Sequence, residues 1–141
     1  MSEQIPQTPP QPLTPAEEKQ WAMIAHLSVW VSALTAFFGI PIAFGIYLIY
    51  KDRSRYVAYH SLQAALMQAI FWLGGAVLSV LTAAGMSIPV VGLICIPLAC
   101  VFALMPLGAL IYGTIGGIQT NQGQDFKYWL IGDWVRSTLT G

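Results

Sequence analysis

Between Arg55 and Asp125 the chain carries no Asp, Glu, Lys or Arg, and a second uncharged block runs from Gln20 to Tyr50. Its six basic and six acidic residues are confined to the N-terminal tail, one short loop and the C-terminal segment. A charged side chain at bilayer depth costs several kcal/mol, so spanning segments exclude charge unless function demands it. Uncharged apolar runs of about twenty residues are the signature of membrane-spanning helices. The sequence therefore predicts an all-α polytopic membrane protein, a small bundle of three to four transmembrane helices.

Composition agrees: 9% of residues are charged, against roughly 25% in a soluble domain. The formal net charge is zero. Nucleic acid is excluded as the main partner, because binding phosphates requires a basic excess. No basic stretch followed by an apolar run opens the chain, so a secretory signal is not expected. Cys95 and Cys100, five apart in an apolar segment, fall on different faces of a helix. Neither a disulfide nor a metal site follows from that spacing.

Residues 1–13, with Pro6, Pro9, Pro10 and Pro12, read as a disordered proline-rich tail. Thr14-Pro15-Ala16-Glu17 then has the form of a capping box with proline at the first helical position. The transmembrane domain is expected over 14–119, with helices at about 15–38, 41–50, 57–84 and 89–119. The last segment, 120–141, mixes Phe126, Tyr128, Trp129 and Trp134 with charges and is expected to lie at headgroup level.

The stretch from Trp21 to Tyr50 admits two arrangements. One straight helix would be about 45 Å long, beyond the roughly 30 Å of a hydrocarbon core. Gly39 and Pro41 interrupt it, giving either a tilted, kinked span or a short helical hairpin. In the hairpin, Gly45 would permit close packing against a neighbour. A second break, Gly85-Met86-Ser87-Ile88-Pro89, divides the longer block into two spans. Lys51, Arg53 and Arg55 hold half of the basic residues and place their loop in the cytoplasm by the positive-inside rule. Lys127 and Arg136 place the C-terminus there too. A kinked span puts the N-terminus outside; a hairpin puts it in the cytoplasm.

Helices in lipid associate through small residues and polar contacts. Ser61, Ala65 and Ala69 form one such stripe and Ala109, Gly113 and Gly117 another, expected to pack on each other inside the monomer, with self-association as the other outcome. Pro97 and Pro106 are expected to bend the last span. His26, His60, Gln63 and Gln68 are the polar groups inside the uncharged blocks, with His60, Ala64 and Gln68 on one helical face. They are expected to make polar contacts that hold the bundle together. Each histidine lies near a membrane border, where water would serve it. Ligation of a haem-like cofactor by His26 and His60 is the sharper alternative; no cofactor and no metal is expected.

The membrane blocks hold no carboxylate, and GxSxG, HExxH and GxxxxGK[ST] do not occur. An enzyme is not expected. Three pieces carry a resemblance: WAMIAHLS from Trp21, YKDRSRYVAYHSLQA from Tyr50, and NQGQDFKYWL from Asn121. With them the chain resembles a family of small bacterial membrane proteins of unassigned activity. That family is distantly related to the twenty-kilodalton inner-envelope subunit of the chloroplast protein-import translocon. The resemblance implies a compressed hairpin for Trp21 to Tyr50. The resulting expectation is a scaffold or accessory subunit in a bacterial cytoplasmic membrane, in contact with lipid and other membrane subunits. The alternative is a component of a translocation or transport path.

Overall fold

In the computed structural model, which describes residues 10–140, the first helix begins where the capping box places it. The Thr14 hydroxyl accepts from the Glu17 N–H at 3.3 Å, and the Glu17 carboxylate accepts from the Thr14 N–H at 2.8 Å. Those bonds, first to the Thr14 backbone and then to its hydroxyl, hold the exposed Glu17 carboxyl below its ordinary pKa. A carboxyl lowered in the folded state stabilises it above the ordinary carboxylate range, and that contribution is lost as pH falls through the lowered value.

Helix α1 (Pro15–Leu27) passes at Ser28 into α2 (Val29–Thr35). The chain then reverses, with Ala36 at φ 70°, and returns as α3 (Gly39–Tyr50). Trp21 to Tyr50 is thus a hairpin. Its first arm stops short of the expected residue 38, because the Ser28 hydroxyl bonds both the Ala25 and the Gly39 carbonyls and fixes the turn close by. Helix α3 begins two residues before the expected 41, which leaves Pro41 in its first turn, where no intrahelical N–H bond is lost.

Ser54 caps α4 (Arg55–Gln68) through the Val57 N–H. A wider π-helical turn, Ala69–Gly74, leads into α5 (Gly75–Gly85). Pro89 opens α6 (Pro89–Asn121), which continues through Pro97 and Pro106 as one helix. The runs Arg55–Gly85 and Pro89–Asn121 are each long and apolar enough to cross a membrane. The last helix is α7 (Ile131–Thr140). No strand occurs among the described residues.

Residues 1–9 of the proline-rich tail lie outside the described residues. The end of the tail touches the bundle at two points, with Gln11 and Pro12 exposed: the Gln11 carbonyl accepts from Arg53 Nε at 2.8 Å, and Leu13 is buried with Ala25, Ala43, Ile46 and Val57. The small-residue stripes do not pack on each other. Ala65 belongs to the cluster that includes Ala43 and Ile46 of α3, whereas Gly113 and Gly117 face Val29, Leu27 and the Met23 and His26 carbonyls on the other arm. Ala109 is buried with Val29, Ser61 is buried on α4, and Ala69 is half-buried at the start of the π turn. The hairpin inserts between the two stripes, with its own Ala22, Ala25 and Ala43 buried.

The segment after Asn121 does not lie wholly on the bundle surface; two of its aromatics turn back into it. Phe126 and Tyr128 are buried against Val29, Met67 and Ala109, and the Trp129 N–H lies 3.3 Å from the Tyr112 hydroxyl. From that depth α7 climbs along α4 until the Leu139 carbonyl meets Arg55 Nη2 at 2.7 Å. Only Trp129 and Trp134 of its four aromatics face outward. Irregular backbone at membrane depth persists only where protein satisfies its polar groups, and side chains of α4 do so here.

Candidate functional site

The polar residues of the uncharged blocks meet in two layers across the bundle. In the first, His26 of α1, His60 and Gln63 of α4, and Tyr128 of the returning segment are all buried. Gln63 bridges backbone groups that no helix satisfies. Its amide nitrogen donates to the Phe126 carbonyl at 2.9 Å, and its oxygen faces the Tyr128 N–H at 3.3 Å. Those two bonds fix the amide orientation, so the same nitrogen donates to His60 Nδ1 at 3.0 Å.

One consistent arrangement of protons follows. With Nδ1 of His60 accepting, its proton is on Nε2. Its one lone pair is taken by the Gln63 N–H, so His26 Nε2, 3.4 Å from the same Nδ1, makes only a weak, shared contact with it, and His26 Nδ1 accepts from the Tyr128 hydroxyl at 2.8 Å. Water is not needed to serve these rings, contrary to the sequence expectation; tyrosine, glutamine and the second histidine serve them. The exception is His60 Nε2, which is buried without a partner. Its ring is flanked by Tyr56 and Tyr59, with centroids 4.4 and 5.0 Å away.

The second layer lies two helical turns deeper, about 12 Å along α4. Gln68 donates to the Ser28 hydroxyl and accepts from the Ser32 hydroxyl, both at 2.9 Å, while Ser28 donates to the Gly39 carbonyl at 3.0 Å. This layer clamps both arms of the hairpin to α4. His26, His60 and Gln63 are therefore brought together, and Gln68 is separated from them. Sequence reasoning missed Ser28, Ser32 and Tyr128. The serines had a signal, since they sit four apart in an uncharged block beside His26.

A family model for magnetosome magnetite crystal formation proteins matches residues 17–135. The chain belongs to that family. No curated protein and no solved structure matches it. Membership in the magnetosome magnetite crystal formation family agrees with a small bacterial membrane protein and gives no support to a relation with the chloroplast translocon. Both polar layers fall within the region that the magnetosome family model covers.

At the charged end of the bundle, Arg55, Tyr56, Tyr59, Asp125, Arg136 and Leu139 line an open cavity of about 300 Å³. Arg136 pairs with Asp125 at 2.8 Å and lies over the Tyr59 ring at 4.6 Å. Lys127 pairs with Asp133 at 3.0 Å. Both pairs are exposed, and such pairs contribute little to stability. Of the loop residues expected to set topology, Lys51 is exposed, while Arg53 and Arg55 hold the tail and the end of α7. Among the described residues no three of His, Cys, Asp and Glu converge as metal ligands would.

Proposed function

We propose that this chain is a non-enzymatic structural subunit of the magnetosome membrane, contributing to magnetite crystal formation through its shape and its contacts with lipid and neighbouring subunits. It crosses the bilayer twice, through α4–α5 and α6. The α1–α3 hairpin dips in from the side bearing Lys51, Arg53 and Arg55, which is the cytoplasmic side. The N-terminus, the basic loop and the C-terminus then share one face.

The observation that carries this reading is the closure of the first polar layer. Both nitrogens of His26, Nδ1 of His60 and the whole Gln63 amide are engaged within the chain. Groups already committed to holding a re-entrant segment are poorly placed to bind a cofactor or turn over a substrate. Below Gln68 the polar side chains of α5 bond their own helix, Ser79 to the Gly75 carbonyl and Thr82 to the Leu78 carbonyl. Among the described residues that leaves the far half, apart from the partnerless Trp72 Nε1 in the π turn, without a polar lining for a transport path.

A second reading is favoured by one atom, the partnerless His60 Nε2. A histidine with a buried free donor is also suited to proton handling or ligation. His60→Asn separates the two, because the asparagine amide places an oxygen near the former Nδ1 but has nothing at Nε2. Under the structural reading, cells carrying only this variant form magnetite crystals of ordinary size, and the purified variant melts within a few degrees of the unmodified protein. Crystals lost or dwarfed with an unchanged melting temperature would favour histidine chemistry instead.

A further inference from the structure

The two halves of the bundle differ in width. Level with α4 lie five helical segments: α1–α2, α3, α4, the second half of α6, and α7. The hairpin ends at the depth of Gln68, where Gly39 meets Ser28, Ser32 and the Gln68 amide. That is about 20 Å along α4 from Arg55. Beyond it, among the described residues, the π turn with α5 and the first half of α6 alone continue, for roughly another 25 Å. Leaving out α7, whose Asp133 and Arg136 are exposed, and taking each remaining helix as a cylinder about 10–11 Å across, the section is about 350 Å² on the charged side and about 170 Å² on the other.

Both halves are lipid-facing. On the narrow half, Val80, Val90, Leu93 and Ile94 are largely exposed. On the wide half, Trp30, Leu34, Phe44 and Ile49 are exposed as well, so the apolar outer face reaches to within two residues of Lys51. The Trp21 and Tyr50 rings, tilted against each other with centroids 4.8 Å apart, sit just below the charges, the usual level of an aromatic belt. On the hairpin side the wide half is therefore embedded rather than standing clear of the bilayer, while the α7 side, with Lys127, Asp133 and Arg136 exposed, belongs at the headgroups. The depth of the wide half corresponds to one leaflet, half of the roughly 40–45 Å between the outer edges of the headgroups.

We infer that the chain is a membrane wedge: it occupies about twice the area in the charged-side leaflet that it occupies in the other, and so prefers membrane that is convex on the charged side. The partner is the lipid surface itself. A flat bilayer must stretch or fill around the narrow half with acyl chains, at a cost that falls where the charged-side leaflet is already expanded. The same asymmetry makes the protein impose that curvature when it is crowded. This inference rests on the hairpin topology proposed above but not on the role of either histidine.

The test uses full-length protein with Cys95 and Cys100 replaced, reconstituted into giant vesicles of phosphatidylcholine with a minor fraction of phosphatidylglycerol. Membrane tethers are then pulled from them. A membrane-impermeant thiol dye marks only molecules whose single cysteine faces outward: Lys51→Cys reports the wide end and Ser87→Cys the narrow end. Molecules labelled at Lys51→Cys are expected at least two-fold enriched on the tether relative to the parent vesicle, and those labelled at Ser87→Cys depleted. Even distribution of both, or equal enrichment of both, would overturn the wedge; a dimer that fills the narrow half would give the even result. A Gln11→Cys variant separates failure of the topology. If its label sorts with Ser87→Cys instead of Lys51→Cys, the hairpin reading has failed and not only the inference drawn from it.

Discussion

Gln63→Leu is expected to lower the stability of the bundle by about 3 kcal/mol or more, the largest loss for any near-isosteric change in the chain. Leucine fits the space, so packing hardly changes. Hydrogen bonding changes greatly: the Phe126 carbonyl and the Tyr128 N–H lose their partners, and His60 Nδ1 loses a donor. Each buried group left unpaired costs about 1–3 kcal/mol, and the surrounding lipid supplies no substitute. The damage should be local at first. The segment 122–130 should leave the bundle, exposing the bond after Lys127 to trypsin in detergent micelles, while α5 and α6 stay paired. A melting temperature and a cleavage rate equal to those of the unmodified protein would refute the account of the returning segment.

Gly39→Ala is expected to destabilise by about 2–3 kcal/mol, typical of overpacking, although alanine is the better helix former by about 1 kcal/mol. A methyl group there would collide with the Ser28 carbonyl, the Ser32 hydroxyl and the Gln68 amide oxygen. The first is backbone and the other two are held by the second polar layer, so none can yield cheaply. The partner change Gly45→Ala meets nothing within 4 Å. It should leave stability unchanged or raise it by up to about 1 kcal/mol. Opposite signs at two glycines of one helix are the diagnostic; equal effects in a detergent melting experiment would contradict the seating of α3.

Those two glycines also mark the limit of what the sequence discloses. Absence of charge from Gln20 to Tyr50 and from Tyr56 to Gln124 makes the membrane helices legible, because the cost of burying charge in lipid acts on composition directly. Proline and glycine punctuation makes the turns near Gly39 and Gly85 legible for equally local reasons. Which glycine meets a neighbour is set by tertiary packing, and composition pointed to Gly45 when close approach occurs at Gly39.

The polar layers divide the same way. His26, His60, Gln63 and Gln68 stand out because each is a polar group in an apolar block. Tyr128 does not, since it follows Asp125 and Lys127 and reads as part of a charged, interfacial stretch. Its partner His26 is 102 positions away. Nothing local announces that a segment carrying charges will send two of its aromatics inward. The signal was indirect: Gln63 needs partners, and a chain reversal after α6 is where backbone groups lie free.

The most direct test of the account is the sidedness of four positions in intact cells, using single cysteines at Gln11, Lys51, Ser87 and Ser137 in a background lacking Cys95 and Cys100, with a membrane-impermeant thiol reagent. The two-span bundle with a dipping hairpin predicts that Gln11, Lys51 and Ser137 are protected together until the cells are opened, and that Ser87 alone reacts from outside. Labelling of Gln11 from outside along with Ser87 would mean that the first block crosses the membrane, and the one-sided hairpin would be wrong.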